Sequence, residues 1–323
     1  MKAAVMNVFV TGGSGYVGGY VIRALRKHGH RVHAMARSAT AAKRVEVLGA
    51  KSVLGDLDKT GAWRDTARDA DAIIHLAAPS PYAIRRFYEW APLSRRWVAE
   101  LARLEAQALP ALIDVAREST RCRALIATTG PAAAGDHGER WIDEDAEGPR
   151  SIFGQAQRDI ERRMLAAARE GIPATVLRPG AVYGPDGGFA ARVLGMAERG
   201  QARYVGSGSN YTSWVHIDDY AEAYVHALSG ASAGQVVAVV DDEPMTSRAS
   251  IEQLAALASH VVPDRVPVWM ARLIAGPVVA GWATQSARLR NTRARALGWE
   301  PRFATIREGF PDVLARFRAL AKA

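Results

Sequence analysis

Apolar residues recur along this chain in two interleaved patterns. Short runs at Val5–Val10, His30–Met35, Ser52–Leu54, Ala72–Leu76, Ala124–Thr128, Thr175–Leu177 and Gln235–Val240 are too brief for globular helices and predict strands. Between them the apolar positions fall at helical spacing. Tyr16 to His28 carries Val17, Tyr20, Val21, Ala24, Leu25 and His28 on one face and stops at Gly29. A longer helical pattern runs to Glu118 with Pro110 interrupting it, and Ser151 to Glu170 forms another, closed by Gly171. Asn291–Trp299 and Phe303–Phe317 read as helical after the last strand. Strands alternating with helices in this way specify an α/β protein whose parallel sheet is covered on both faces.

The first strand and helix are joined by Thr11-Gly12-Gly13-Ser14-Gly15-Tyr16-Val17-Gly18. Glycines here have separate tasks. Gly12 makes the tight turn, Gly15 lets backbone approach a pyrophosphate and is expected to need a positive φ, and Gly18 lets helix pack on strand. The helix start then turns free N–H groups and a positive dipole end towards phosphate. Where this kind of unit places an acid for the ribose 2′-hydroxyl of NAD, the chain has Ala36-Arg37-Ser38, with Lys43 and Arg44 beyond. A carboxylate would repel a 2′-phosphate, whereas a guanidinium grips it. The expected cofactor is NADP(H) in preference to NAD(H).

The Gly-x-x-Gly-x-x-Gly spacing after a threonine resembles the extended short-chain dehydrogenase/reductase superfamily, which includes epimerases, dehydratases and dihydroflavonol-type reductases. So do Arg178-Pro179-Gly180-Ala181-Val182-Tyr183-Gly184-Pro185 and Ser213-Trp214-Val215-His216-Ile217-Asp218-Asp219, and the resemblance spans nearly the whole chain. It implies a Rossmann-type doubly wound parallel sheet with a smaller, mostly helical C-terminal substrate lobe. The sheet domain would take residues 1–178 and 212–241, the lobe 179–211 and 242–323. Cofactor contacts are implied for Gly12, Gly15, Tyr16, Val17, Gly18, Arg37, Asp56, Leu57, Ala77, Ala78, Thr128, Gln157, Pro179, Gly180 and Val182. His75, in His75-Leu76-Ala77-Ala78, reads as a structural hydrogen-bonder.

In the resembled superfamily a Tyr is the acid, a Lys four residues later lowers its pKa, a Ser or Thr assists and an Asn on an earlier helix completes the set. A carbonyl receiving hydride needs a proton, and a neighbouring ammonium makes a phenol usable near neutral pH. Thr129 fits the Ser/Thr position. With Glu161 matched to the superfamily's later helix Glu, Phe153 falls at the Tyr position, Gln157 at the Lys position and Glu105 at the Asn position. No Tyr-x-x-x-Lys occurs anywhere. Three readings follow. One is a reductase whose proton donor has moved, with Tyr82, Tyr88, His137 or Tyr183 as the substitute. Another is a non-redox enzyme using Glu105 for acid–base work, and the third an inert cofactor-binding regulator.

Two loops carry further candidates. Pro79 to Trp97 mixes Tyr82, Phe87, Tyr88, Trp90 and Trp97 with four arginines and reads either as a substrate-facing loop or as a packed aromatic surface. Asp136 to Pro149 is polar, and its run Asp143-Glu144-Asp145 reads as solvated or as a helix cap.

Composition narrows the partners. The net charge of +9 comes almost entirely from arginines spread along helices, with no basic tail, which argues against nucleic acid. One cysteine, Cys122, permits no internal disulfide and suits a reducing compartment. The run Leu273–Trp282 is shorter than the ~20 residues of a membrane span, and Ala3–Val10 is short, contains Asn7 and leads straight into the glycine turn, unlike a secretory leader. The sequence therefore predicts a soluble cytoplasmic protein acting on a small molecule, with no metal site. The resemblance also implies a homodimer through the helices around residues 98–118 and 151–170.

Overall fold

The computed structural model describes residues 4–79, 90–146, 148 and 151–322, with only the backbone described for 90–95. The candidates Tyr82 and Tyr88 lie outside the described residues.

Seven strands form the central sheet: β1 (Asn7–Thr11), β2 (Arg31–Ala36), β3 (Lys51–Leu54), β4 (Ala72–His75), β5 (Ala124–Thr128), β6 (Ala174–Pro179) and β7 (Val236–Val239). All pair in parallel, in the order β3-β2-β1-β4-β5-β6-β7. This is the Rossmann-type doubly wound sheet expected from the sequence. The chain reverses direction across the sheet between β1 and β4, the crevice where ligands bind in such folds. Helices α1 (Tyr16–Lys27), α2 (Ala39–Val47), α3 (Trp63–Arg68), α4 (Trp90–Glu118), α5 (Ile152–Arg169) and α6 (Ile217–Ala227) cover the two faces.

Period-two alternation explains the layering. Val8, Val10, Ile74, Ile126, Leu177 and Val237 point to one face, with α1 and α6. Phe9, Ile73, Leu125, Val176 and Val236 point to the other, with α3, α4 and α5. Both faces are buried, so the strands read as near-continuous apolar runs. Pro110 does not interrupt α4, contrary to expectation. Its ring is exposed, while Ala108, Leu109, Leu112 and Val115 on either side are buried against the sheet and hold both halves in line.

A third core gathers Tyr183, Leu194, Trp214, Leu254, Ile306, Phe310 and Val313. It is enclosed by α7 (Ser247–Ala258), α9 (Ile306–Leu320) and the short parallel pair Ala181–Tyr183 with Trp214–His216. Helix α8 (Val268–Thr284) holds the apolar run noted in the sequence and breaks at Gly276 (φ 81°, ψ 162°) before Pro277. Among the described residues no helix is long and apolar enough to cross a membrane.

The acidic run at 143–145 behaves differently from its sequence reading. Glu144 is 4% exposed. Its Oε1 accepts the Ala238 N–H at 2.8 Å, and the adjacent Trp141–Ile142 pairs with Arg288–Leu289. β7 is the sheet's outer strand, so its unpaired backbone donor draws a carboxylate out of solvent.

Candidate functional site

The glycine turn lies at the switch point. Gly12 has φ +73°, and a Cβ there would sit 2.5 Å from the Leu76 carbonyl carbon and oxygen. A Cβ on Gly18 would collide with the Gly12 carbonyl oxygen. Gly15 departs from expectation: its φ is −82°, extended backbone that any residue adopts. Its N–H donates to Gly12 O at 3.0 Å, and a Cβ would meet that oxygen at 3.2 Å. The positive φ belongs to Gly12, because the turn must reverse there against the end of β4. Tyr16, Val17 and Gly18 open α1, whose first turn carries no acid, so its N–H groups and dipole are available to an anion. The Tyr16 ring leaves this turn and packs beneath Gly187, where a Cβ would come within 2.6 Å of it, and its hydroxyl has no partner.

Arg37 is exposed just past β2 and has no hydrogen bond or ion pair among the described residues. Ser38 beside it caps α2 by accepting the Ala41 N–H at 3.2 Å. Asp56 Oδ1 accepts the Asp58 N–H at 3.3 Å, and Leu57 is buried in the core beneath. Ala77 and Ala78 follow β4 beside the glycine turn, with Ala77 half-buried and Ala78 exposed. On the far side, Pro179 ends β6. Gly180 passes close against the Ser213 carbonyl, and half-buried Val182 lies in the short strand beyond.

A chain of polar side chains crosses the same switch point. Thr11 and His75 are register partners at the ends of β1 and β4. Thr11 Oγ1 accepts the Leu76 and Ala77 N–H groups at 3.3 and 3.4 Å. Its proton therefore turns to His75 Nδ1, 2.7 Å away, and His75 Nε2–H donates to Glu105 Oε2 at 3.3 Å. Glu105, from α4, is 8% exposed. His75 is thus the structural hydrogen-bonder expected of it. Its pairing with Glu105 was not foreseeable, since no spacing links positions 11, 75 and 105.

Helix α5 presents Phe153, Gln157 and Glu161 at successive turns. The half-buried Phe153 ring lies 4.9 Å from Trp97 of α4, whose indole N–H donates to Pro79 O at 2.7 Å. Gln157 is 7% exposed and packs against Gly130, and its Oε1 has no hydrogen-bond partner. Glu161 takes Arg178, wholly buried, in a bidentate pair at 2.8 and 2.9 Å. It also accepts the Thr129 hydroxyl at 3.1 Å, so that hydroxyl is committed to the ion pair. Thr128 Oγ1 is likewise engaged, with the Tyr220 hydroxyl and Leu177 O.

Two further candidates lie away from this row. His137 is tied into its loop, Nε2 to Ala134 O at 2.9 Å and Nδ1 to Arg140 at 3.3 Å. Tyr183 is fully buried among Phe189, Trp214, His216 and Phe310, its hydroxyl without a partner and its pKa raised first by burial and then by Asp241. That phenol is sealed in the lobe's core, so it is not a proton donor to the crevice. Nearby, burial pushes the Asp241 carboxyl up to about 9, with Asp242 adding to the effect.

The crevice has features that fit a dinucleotide. Gly12 and Gly18 let the turn close tightly on Leu76 and on itself, which brings the acid-free start of α1 to the crevice, and Gln157 has a buried oxygen with no partner among the described residues. Among the described residues no group of three or more His, Cys, Asp or Glu could bind a metal.

A doubly wound sheet with this turn at its switch point and a helical lobe beside it defines a protein of the short-chain dehydrogenase/reductase type. The sequence model of the NAD dependent epimerase/dehydratase family matches residues 8–240, and the chain belongs to that family, within the extended short-chain dehydrogenase/reductase superfamily. A Streptomyces 3-diazoavenalumate denitrifying reductase is 29% identical over 317 residues, covering 94% of this chain and 99% of that protein. The 2-alkyl-3-oxoalkanoate reductase of Stenotrophomonas maltophilia is 28% identical over 264 residues, 78% of this chain and 75% of the relative. Human epimerase family protein SDR39U1, solved with NADPH, superimposes with a TM-score of 0.78 at 21% identity, covering 96% of this chain and 99% of that one.

Proposed function

We propose that this protein is an NADP(H)-dependent reductase of a small organic substrate, with its proton supplied from somewhere other than the usual Tyr position. The observation that carries the reading is the tight glycine turn at Gly12 and Gly18 leading into α1, with the guanidinium of Arg37, unpaired among the described residues, at the end of the next strand. Gly12, Gly15 and the first turn of α1 would receive the pyrophosphate, Arg37 the 2′-phosphate, and Gln157 the nicotinamide-side ribose. Bound there, the reduced nicotinamide would supply a hydride. The chain's own contribution would be to bind, orient and exclude water. The Trp97–Phe153 pair would wall the substrate side, since neither ring can give a proton. The names of two reductases among the relatives, and the NADPH held by the human neighbour, support this reading.

The test is a fluorescence titration of NADPH and NADH against the wild type and Arg37→Asp, followed by NADPH oxidation with carbonyl, enone and imine acceptors. Wild type should prefer NADPH at least about tenfold, and the variant should lose that preference, as expected when a guanidinium–phosphate pair becomes a carboxylate–phosphate repulsion. Equal affinities in wild type would refute the cofactor assignment. Tight NADPH binding that no acceptor oxidises would favour non-redox chemistry.

A further inference from the structure

We propose that Glu105, oriented by His75 and Thr11, is the proton-transfer group of this site. The inference rests on the reductase reading above and deepens it by naming the donor that Phe153 cannot be.

Glu105 Oε2 is fixed by His75 Nε2–H, and His75 is fixed in turn by the Thr11 hydroxyl. Thr11 is anchored by two backbone N–H groups of the loop that follows β4. The chain is therefore hydrogen-bonded from its far end to the carboxyl group. Glu105 Oε1, by contrast, has no hydrogen-bond partner among the described residues and is not among their buried unpartnered atoms. One oxygen held and one oxygen open is the arrangement a proton carrier needs: the held atom sets the direction and the open one makes the exchange. The place is also right. Thr11 and His75 are the paired last residues of β1 and β4, so the carboxyl that meets His75 lies beside the strand ends where the sheet order reverses. Two turns earlier on α4, Trp97 meets Phe153, so the same helix carries both the aromatic wall and the carboxyl.

In the reducing direction the Glu105 O–H bond breaks as the substrate's new O–H or N–H bond forms. The carboxylate left behind keeps the His75 N–H at Oε2, and water returns the proton through Oε1. A bound reduced nicotinamide would supply the hydride, so that two electrons and two hydrogens reach the substrate. In the reverse direction the same carboxylate takes the proton. His75 is a positioning residue in this scheme, because Thr11 holds its Nδ1 and its Nε2 meets Glu105.

A carboxylate beside a bound nicotinamide would also leave a signature that needs no substrate. It favours the oxidised ring, which carries a positive charge, over the neutral reduced ring. The experiment measures NADP⁺ and NADPH dissociation constants for wild type, Glu105→Gln and Glu105→Asp, each checked for folding by circular dichroism. Glu105→Gln keeps an acceptor for His75 but removes the charge. It should weaken NADP⁺ about fivefold while moving NADPH less than about twofold, and Glu105→Asp should restore the wild-type ratio. In ¹⁵N-histidine-labelled protein, His75 should carry its proton on Nε2. An unchanged NADP⁺/NADPH ratio in Glu105→Gln, equal loss of both forms, or a proton on His75 Nδ1 would overturn the proposal. If wild type binds neither cofactor form, the reductase reading fails together with it; if it binds both and only the ratio stays fixed, that reading stands and Glu105 alone is dismissed.

Discussion

Removing Glu161 should unfold this protein at a markedly lower temperature, and the ion pair it makes sets the size of the effect. Arg178 has no exposed surface, and Glu161 holds it at 2.8 and 2.9 Å with a further contact from Arg178 to Glu144 O at 3.2 Å. Arg158 adds a contact to Glu161 at 3.3 Å, and Thr129 donates its hydroxyl to the same carboxylate. Glu161→Ala would leave one guanidinium buried without a counter-charge and a second half-buried one beside it. Breaking a buried pair from one side costs about 3–5 kcal/mol, because the remaining charge keeps its full desolvation penalty. At roughly 2 °C per kcal/mol for a chain of this size, the melting temperature should fall by about 6–10 °C. Glu170→Ala is the control: Glu170 also meets an arginine, Arg117, at 2.7 Å, but both side chains are more than half exposed. Its midpoint should not move measurably, since water screens and solvates both partners. Differential scanning fluorimetry on the two variants decides the matter. Equal shifts would refute the argument that burial, rather than the ion-pair distance, sets the cost.

Gly12→Ala should lose both stability and NADPH binding, because its φ is positive and a Cβ would press on the Leu76 carbonyl just past β4. Gly15→Ala should fold normally, and Gly15→Val should fold but fail to bind NADPH, as read by cofactor fluorescence. Asp241 supplies a pH prediction. Its folded pKa, about 9, lies above its ordinary value of 3.8, so the folded state holds a proton that the unfolded state releases between these values. Stability from this group is present below pH 4 and declines as pH rises towards 9. Asp241→Asn should accordingly melt above wild type at pH 8 and level with it near pH 4; a gap that does not grow with pH would refute the assignment.

What was legible in the sequence is local. Alternating apolar positions in β1, β4, β5 and β6 specify strands buried on both faces, and the turn from Thr11 to Gly18 carries its own geometry within one strand–helix unit. The place of Arg37 just past β2 could be read because an end-of-strand position is set by the strand before it. Even so, the motif did not tell which glycine would take the positive φ. That depended on how close β4 runs beside Gly12, a contact with residues more than sixty positions away. The same reason governs the rest. Glu144 looked solvated or like a helix cap until β7 offered it an unpaired backbone donor, and Tyr183 looked like a candidate acid until the lobe's core closed over it. Glu105 and His75 each stood out in the chain, but only the packing of α4 on the end of β4 brought them together. Burial decides whether a carboxyl or a phenol is a solvated charge, a structural anchor or a reactive group, and burial is a property of the whole fold.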